Sequence, residues 1–470
     1  MYNTLKKIMV ALLLLATTTL NAQQQEKKQY AFSLQQSIEF AWQNQADVKN
    51  ATLDYEIAQK RAKELFGIGM PQISGSADIT KYIDIPTQFI EDFISPATYR
   101  VLKEENLVAT DPYENGKVPA TFGVQFGQEY NSSVGLSASQ LLFDGSYLVG
   151  VKAAKMYAEF VHKQANQTKI ETAVTISKAY YNVLIANERM GLLAANVTRL
   201  KKLNDDTKAM YENGFVEKID FDRTTLAYNN IVTEKEKTER LLTLGVALLK
   251  FQMGMNIQDD LSLTDKLSDI TMSTEITNAD NIDVNGRIEM DILKMRKVLL
   301  EKDMKLKQVA YLPSLAAFGS YSVNASRDEF DIFEDHQWFR TSLVGIKLTV
   351  PIFDGFQKAN RVKQARREVQ KAENSIQSLT QGLQLEVLQS RTTLINSLAS
   401  LETQKQNRAL ATDIARITKL KYEQGVGSNL EVMDAETSLK EAETNYYSAL
   451  FDTYIAKVDY AKATGTLAKN

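Results

Sequence analysis

Few side chains in this sequence are spaced for covalent chemistry. His162 and His336 are the only histidines, they fall in different halves of the chain, and there is no cysteine. Metal and acid–base sites gather several nitrogen, sulfur or carboxylate groups in one place, so these two residues support neither a metal nor a cofactor. No nucleophile motif, phosphate loop or Ser-His-Asp arrangement is present, and the requirements of an enzyme site are unmet. Glu431 and Asp434 are a different matter. Three residues apart, they share one face of any helix that contains them. By spacing alone they are a solvated acidic face at a helix start, where carboxylates suit the helix dipole.

The elements that would position such residues occur twice. Phe143-Asp144-Gly145 returns as Phe353-Asp354-Gly355, and Tyr211-Glu212-Asn213-Gly214 returns as Tyr422-Glu423-Gln424-Gly425, at offsets of 210 and 211 residues. Gly254 and Gly465, each closing a helical pattern, are also 211 apart. Landmarks at so constant an offset mark an internal duplication. Each half opens with a helical stretch, Ser33 to Phe66 and Arg287 to Ala310, that meets Pro71 or Pro313, and a proline ends a helix because it lacks an N–H. Alternating segments follow, giving strand pairs at about 72–143 and 314–353. Long helical hairpins come next, at about 146–252 and 356–466, whose first members would extend roughly 100 Å at 1.5 Å per residue. Ala173, Ile176, Tyr180, Val183, Met190, Ala194 and Val197 keep the 3-4 spacing of a coiled-coil seam. Asp144 and Asp354 read as helix N-caps. Gly214 and Gly425 read as helix-to-helix turns that need a left-handed backbone.

In the strand segments Val344, Ile346, Leu348, Val350 and Ile352 oppose Gly345, Lys347 and Thr349, and Val134, Leu136, Ala138 and Leu142 oppose small polar residues. An apolar face opposite a small polar one over about ten residues is the signature of outer-membrane strands. The alternation by itself equally describes an antiparallel sheet on a soluble core. Tyr82, Tyr130, Phe143, Tyr321, Trp338, Phe339 and Phe353 are expected near strand ends, as an interfacial girdle.

Residues 1–22, with Lys6 and Lys7 before an apolar run from Ile8 to Ala16, read as a secretory signal peptide. Residues 23–255 then form the first repeat, 256–286 an equatorial linker and 287–470 the second repeat. No later run is apolar enough for a spanning helix, so a membrane crossing would use strands. With 55 basic against 58 acidic residues the chain is mildly acidic, which argues against nucleic acid as a partner. Seven prolines and 21 glycines in 470 residues favour a few very long elements. Four strands cannot close a barrel, and an open edge in lipid leaves backbone groups unsatisfied. Three copies would share twelve strands and gather twelve helices into a second tube.

The stretches Val344 to Gly355 (VGIKLTVPIFDG) and Tyr422 to Ala435 (YEQGVGSNLEVMDA) resemble the strand-to-helix passage and periplasmic tip of the outer-membrane efflux protein family, the TolC-like channels. The likeness runs through both halves in order. It implies a homotrimer in the outer membrane that meets membrane lipid, docks a periplasmic adaptor and an inner-membrane pump, and carries no cofactor. It implies a mainly α fold with membrane β: coiled-coil hairpins in an α-barrel and four strands per protomer in a shared twelve-stranded β-barrel. It places Glu431 and Asp434 at the periplasmic gate, Asp220 and Tyr422 in a closed-state contact, Gly214 and Gly425 at the adaptor-docking tips, and Asp144, Gly145, Asp354 and Gly355 at the strand-to-helix junctions. The arginine of the family's closed-state lock is Gly427 here. A periplasmic adaptor is the alternative reading, but it would show one hairpin between small β-domains. The connection from Asp84 to Gln128, about 30 residues longer than its counterpart from Asn324 to Trp338, is expected as a loop, either a cover for the pore mouth or a solvated insertion.

Overall fold

The computed structural model describes residues 27–267 and 283–467, apart from 115, 116, 118, 119, 126, 332, 333, 335 and 336. The expected signal peptide, half of the expected linker, Pro119 and His336 lie outside the described residues.

The first half runs through β1 (Gln29–Phe32), α1 (Leu34–Asn44), α2 (Ala46–Gly67), β2 (Gln72–Lys81), β3 (Thr87–Glu91), α3 (Ile94–Glu104), β4 (Thr121–Gln125), β5 (Tyr130–Phe143), α4 (Gly145–Glu212) and α5 (Lys218–Met253). After β6 (Asp260–Leu263) come α6 (Ile288–Val309), β7 (Ser314–Arg327), β8 (Phe339–Thr349), α7 (Gln357–Glu423) and α8 (Asn429–Thr464). Counterparts agree in length: 22 residues in α2 and α6, 68 and 67 in α4 and α7, and 36 in both α5 and α8. The duplication is thus visible in the elements themselves. The chain divides into a helical unit (1–59, 156–300 and 367–470) and a strand unit (60–155 and 301–366), each drawing on both halves.

In the helical unit, Ile176, Tyr180, Leu249, Met253 and Tyr454 form the centre of the largest buried cluster. The short parallel pair β1–β6 borders it. Asp265 ties this region together, accepting from the Tyr180 hydroxyl at 2.9 Å and the Leu34 amide at 2.8 Å. The expected helix from Ser33 to Phe66 is broken at Gln45, which is extended and whose side chain accepts from the Val48 amide at 2.9 Å. The reason lies across the chain. Gly254 packs so closely that a Cβ there would lie 2.6 Å from the Asn44 carbonyl oxygen, and the kink makes room for it. Along α4 the buried seam follows Ala173, Ile176, Tyr180 and Val183 and then shifts to Leu193, Leu200 and Leu203, leaving Ala194 exposed. A straight helix drifts about 20° per heptad from a strict 3.5 repeat, so a seam read by fixed spacing slips over such a length.

In the strand unit, β2, β5, β7 and β8 form one antiparallel sheet in the order β2-β5-β7-β8. The register gathers Ile73, Ala77, Ile79, Val134, Leu136, Val323, Val344, Ile346 and Leu348 on one face. Ser74, Ser137 and Ser320 share the other face with Ser76, Ser322 and Thr341. Ser74 and Ser137 share a 2.7 Å hydroxyl hydrogen bond. Most of the apolar face is exposed, Ile73, Ile79, Leu136, Val344, Ile346 and Leu348 among it, while Val323 is half-buried. Two expectations are corrected. β8 stops at Thr349, because Pro351 cannot donate to a ladder, so Val350 and Ile352 lie outside it. Tyr321 pairs with Leu136 and Ser342 in mid-strand, not at an end. The Asp84 to Gln128 connection is also more than a loop: β3 and β4 pair antiparallel and α3 lies between them. Among the described residues no helix is long and apolar enough to cross a membrane.

Candidate functional site

The two hairpins of the helical unit turn by the same device. After α4, Gly214 adopts φ +77°, its amide bonds the Tyr211 carbonyl at 2.9 Å and the Phe215 amide bonds the Met210 carbonyl at 2.9 Å. After α7, Gly425 adopts φ +76°, its amide bonds the Tyr422 carbonyl at 3.0 Å and the Val426 amide bonds the Lys421 carbonyl at 3.0 Å. Only glycine takes this left-handed conformation without penalty. Immediately beyond each glycine an apolar side chain stands in solvent, Phe215 at 79% exposure and Val426 at 77%. These two were missed in the sequence, although an apolar residue directly after both repeated glycines was the available signal.

Glu431 lies in the first turn of α8, whose N-cap Ser428 accepts from the Glu431 amide at 3.2 Å through Oγ. Glu431 and Asp434 are both exposed, while their neighbours Val432 and Ala435 are buried. Neither carboxylate makes an ion pair among the described residues. The pair is therefore presented to solvent from a helix that the adjoining residues anchor.

Asp220 and Tyr422 are not brought together. Asp220 lies 3.7 Å from Arg223, and the Tyr422 hydroxyl is 3.8 Å from the Met210 sulfur. The hairpins touch at this level through Asn429, whose Nδ2 donates to the Asp220 carbonyl at 3.1 Å. Gly427 accounts for the missing arginine: a Cβ there would lie 3.1 Å from the Tyr422 amide nitrogen and 3.2 Å from the Lys421 Cβ. A side chain there would require the end of α7 to give by a few tenths of an ångström.

Just inside the tips, a polar network joins the hairpins that no spacing rule had indicated. Arg199 on α4 pairs with Glu436 on α8 at 2.8 Å, and Asn196 on α4 donates to Glu443 on α8 at 2.7 Å. Glu234 on α5 pairs with both Lys440 on α8 at 2.6 Å and Arg189 on α4 at 2.8 Å. Burial pushes the Glu234 carboxyl up, but Lys440 and Arg189 outweigh it and hold it below the usual carboxylate range. For Glu443 burial prevails and its carboxyl is raised, with Asn196, Arg199 and Arg408 opposing and Glu436 reinforcing.

The strand-to-helix junctions differ. Asp144 Oδ1 accepts from the Tyr147 amide at 2.9 Å and α4 starts at once, with Gly145 closely approached by Val309. At the second junction Gly355 and Phe356 both have positive φ, +62° and +65°, before α7 begins. Asp354 Oδ2 there caps the Lys358 amide at 2.9 Å, one position later. His162 is exposed and stacks edge-on with Tyr55. No group of three or more His, Cys, Asp or Glu side chains able to hold a metal occurs among the described residues.

Against known proteins, the family profile described as "Outer membrane efflux protein" matches residues 295–466. The outer membrane protein TolC of Vibrio cholerae is 21% identical over 339 residues, covering 72% of this chain and 77% of that one. The alkaline protease secretion protein AprF of Pseudomonas aeruginosa is 22% identical, covering 72% of this chain and 69% of its own length. In structure, the open-state MtrE outer membrane channel of Neisseria gonorrhoeae is similar in fold, with a TM-score of 0.69 and 18% identity over 92% of this chain and 88% of that one. The second half of this chain thus matches the outer membrane efflux protein family, the sequence is similar to TolC over most of its length, and the fold is that of a known outer membrane channel.

Proposed function

We propose that this protein is the outer-membrane exit duct of a tripartite efflux or secretion system, a passive channel opened by a periplasmic adaptor and an inner-membrane pump, with no covalent step of its own. The observation that carries the reading is the four-stranded sheet, whose apolar face is mostly exposed and whose edge strands, β2 and β8, each lack a partner on one side. In lipid an unsatisfied backbone group costs several kcal/mol. Edges of 10 and 11 residues therefore call for completion by further copies, and three copies give twelve strands. The helical unit supports the same assembly. Leu241, Leu244, Leu248 and Phe251 form an exposed heptad stripe on α5, and Leu410, Ile414 and Ile417 form another on α7. Neither stripe is covered among the described residues, and each suits a neighbouring protomer's helix.

In the trimer, Glu431 and Asp434 supply six carboxylates around a narrow axis, which repel one another, favour cations and oppose tight closure. Gly214 and Gly425, with Phe215 and Val426 beside them, form the tips that receive the adaptor. Asp144, Gly145, Asp354 and Gly355 turn the chain from barrel to helix. A leader at 1–22 exports the chain, and the repeats 23–255 and 287–470, joined by 256–286, supply equal shares of barrel and periplasmic tube.

Single-channel conductance in planar bilayers tests the reading, comparing wild type with E431A/D434A at two salt concentrations. A cation-selective pore of low conductance that widens or loses selectivity in the variant is expected. A pore indifferent to the variant removes the gate, and membrane-inserted trimers without conductance return the chain to the adaptor class.

A further inference from the structure

We infer that Asn196 and Arg199 of α4 with Glu436 and Glu443 of α8 form a latch between the two hairpins of one protomer, and that acid tightens this latch. The inference rests on the duct reading, since a latch between hairpins controls a passage only where the hairpins line one.

Glu436 and Glu443 are a heptad apart on α8, both only 7% exposed, and both are engaged by the first hairpin. Open grooves flank the bridge they form. A groove of about 400 Å³ opens on the α5 side of Arg199 and Glu436, lined by Leu226, Ile231 and Met433. A second of about 470 Å³ opens on the α7 side, lined by Thr412, Ala415 and Leu420. Protein interiors are otherwise close-packed. Here charge-assisted bonds with an open groove on either side bridge the hairpins, beside a small buried patch of Leu193, Leu200 and Leu203 of α4, Ile231 of α5 and Val432 of α8. Gly427 and the separated Asp220 and Tyr422 leave the tip without an ionic tie, so the charged ties between the hairpins just inside it are, among the described residues, the α4–α8 bridge and the Glu234–Lys440 pair beside it.

The groups facing Glu443 set the direction of the pH response. Arg199 from α4 and Arg408 from α7 are positive, Glu436 on α8 is negative, and Asn196 donates to it. On α8, Lys440 is taken by Glu234 of α5. Burial dominates, so the packed hairpins hold the Glu443 proton more tightly than separated ones would. By linkage, lowering the pH through that raised titration favours the packed state and raising it favours separation. Protonated Glu443 still bonds Asn196, no longer repels Glu436, and leaves Arg199 wholly to Glu436.

Open probability of trimers in planar bilayers, recorded as the pH is lowered stepwise from mildly alkaline to acid, tests both parts. Wild type is expected to close as the pH falls. E443Q, which resembles the protonated side chain, is expected to stay closed throughout and to lose the pH response, while E431Q/D434N keeps it. R199A and E436Q are expected to open about tenfold more often, the effect of losing one charge-assisted bond, and R199K, which keeps the charge, to remain near wild type. Trimers recovered intact from detergent show that each variant has folded. A pH response unchanged in E443Q overturns the acid dependence, and intact R199A and E436Q trimers gating like wild type overturn the latch. Inserted wild-type trimers that never conduct overturn the duct reading and the latch with it.

Discussion

Helices α5 and α8 occupy equivalent places in the two repeats, have the same 36 residues and end on the same left-handed glycine cap, yet they are used differently. Sixteen residues of α8 are buried within the protomer, against five of α5. The buried set on α8 includes Glu436 and Glu443, while α5 carries Leu241, Leu244 and Leu248 in the open. A duplicated unit kept its backbone plan and divided the labour. One copy is an inner element covered by its own chain, and the other carries an exposed apolar stripe. The lesson is that length, caps and turn chemistry are preserved by local rules, whereas the direction a helix faces is decided by what packs against it.

The comparison is sharpest in the core. Leu439 on α8 is 1% exposed and Leu244 on α5 is 65% exposed. Leu439→Ala should cost about 2–5 kcal/mol in urea unfolding of the protomer. Leu244→Ala should stay within about 0.5 kcal/mol yet loosen trimers in detergent. Equal losses in the protomer would dissolve the distinction. Next come the two caps. A Cβ at Gly254 meets the Asn44 carbonyl at 2.6 Å, whereas one at Gly465 meets nothing nearer than Arg287 Cδ at 3.7 Å. Gly465→Ala should cost only the roughly 1–2 kcal/mol of a left-handed backbone. Gly254→Ala should cost more, and thermal melting of the two variants in parallel separates them. The smallest difference is expected at the N-termini. Ser428 caps α8 through its side chain and Glu217 makes no such bond at α5. Ser428→Ala should therefore cost about 1 kcal/mol and speed amide exchange in the first turn of α8. Glu217→Ala should leave exchange at α5 almost unchanged, and a matching acceleration there would mean that the two tips are capped alike.

Local chemistry explains what could be read in advance. The glycines at 214, 254, 425 and 465 all have φ near +70°, a backbone state that singles out glycine in any sequence. The prolines at 71 and 313 mark helix ends by what they lack. The alternating strands are legible because their period is two and does not drift. The seam of α4 was legible for two heptads and then slipped at Ala194, since small angular errors accumulate along a helix. Arg199, Glu436 and Glu443 could not be found this way. On a helix full of acids and lysines a buried carboxylate resembles its solvated neighbours until the opposing hairpin is in place. The same holds for Gln45, an ordinary helix former unwound by Gly254 from more than 200 residues away. Within the insertion, α3 buries none of its residues, so no core pattern announced it.

The unpaired edges of β2 and β8 bear on the life of the chain before it is assembled. A free strand edge is a template for any extended segment that passes, and here two such edges flank an uncovered apolar face. A single protomer in water is accordingly the most aggregation-prone form of this protein, and dilution should harm it more than heat harms the finished assembly. In the proposed trimer further copies complete the sheet, so its stability would depend on subunit concentration.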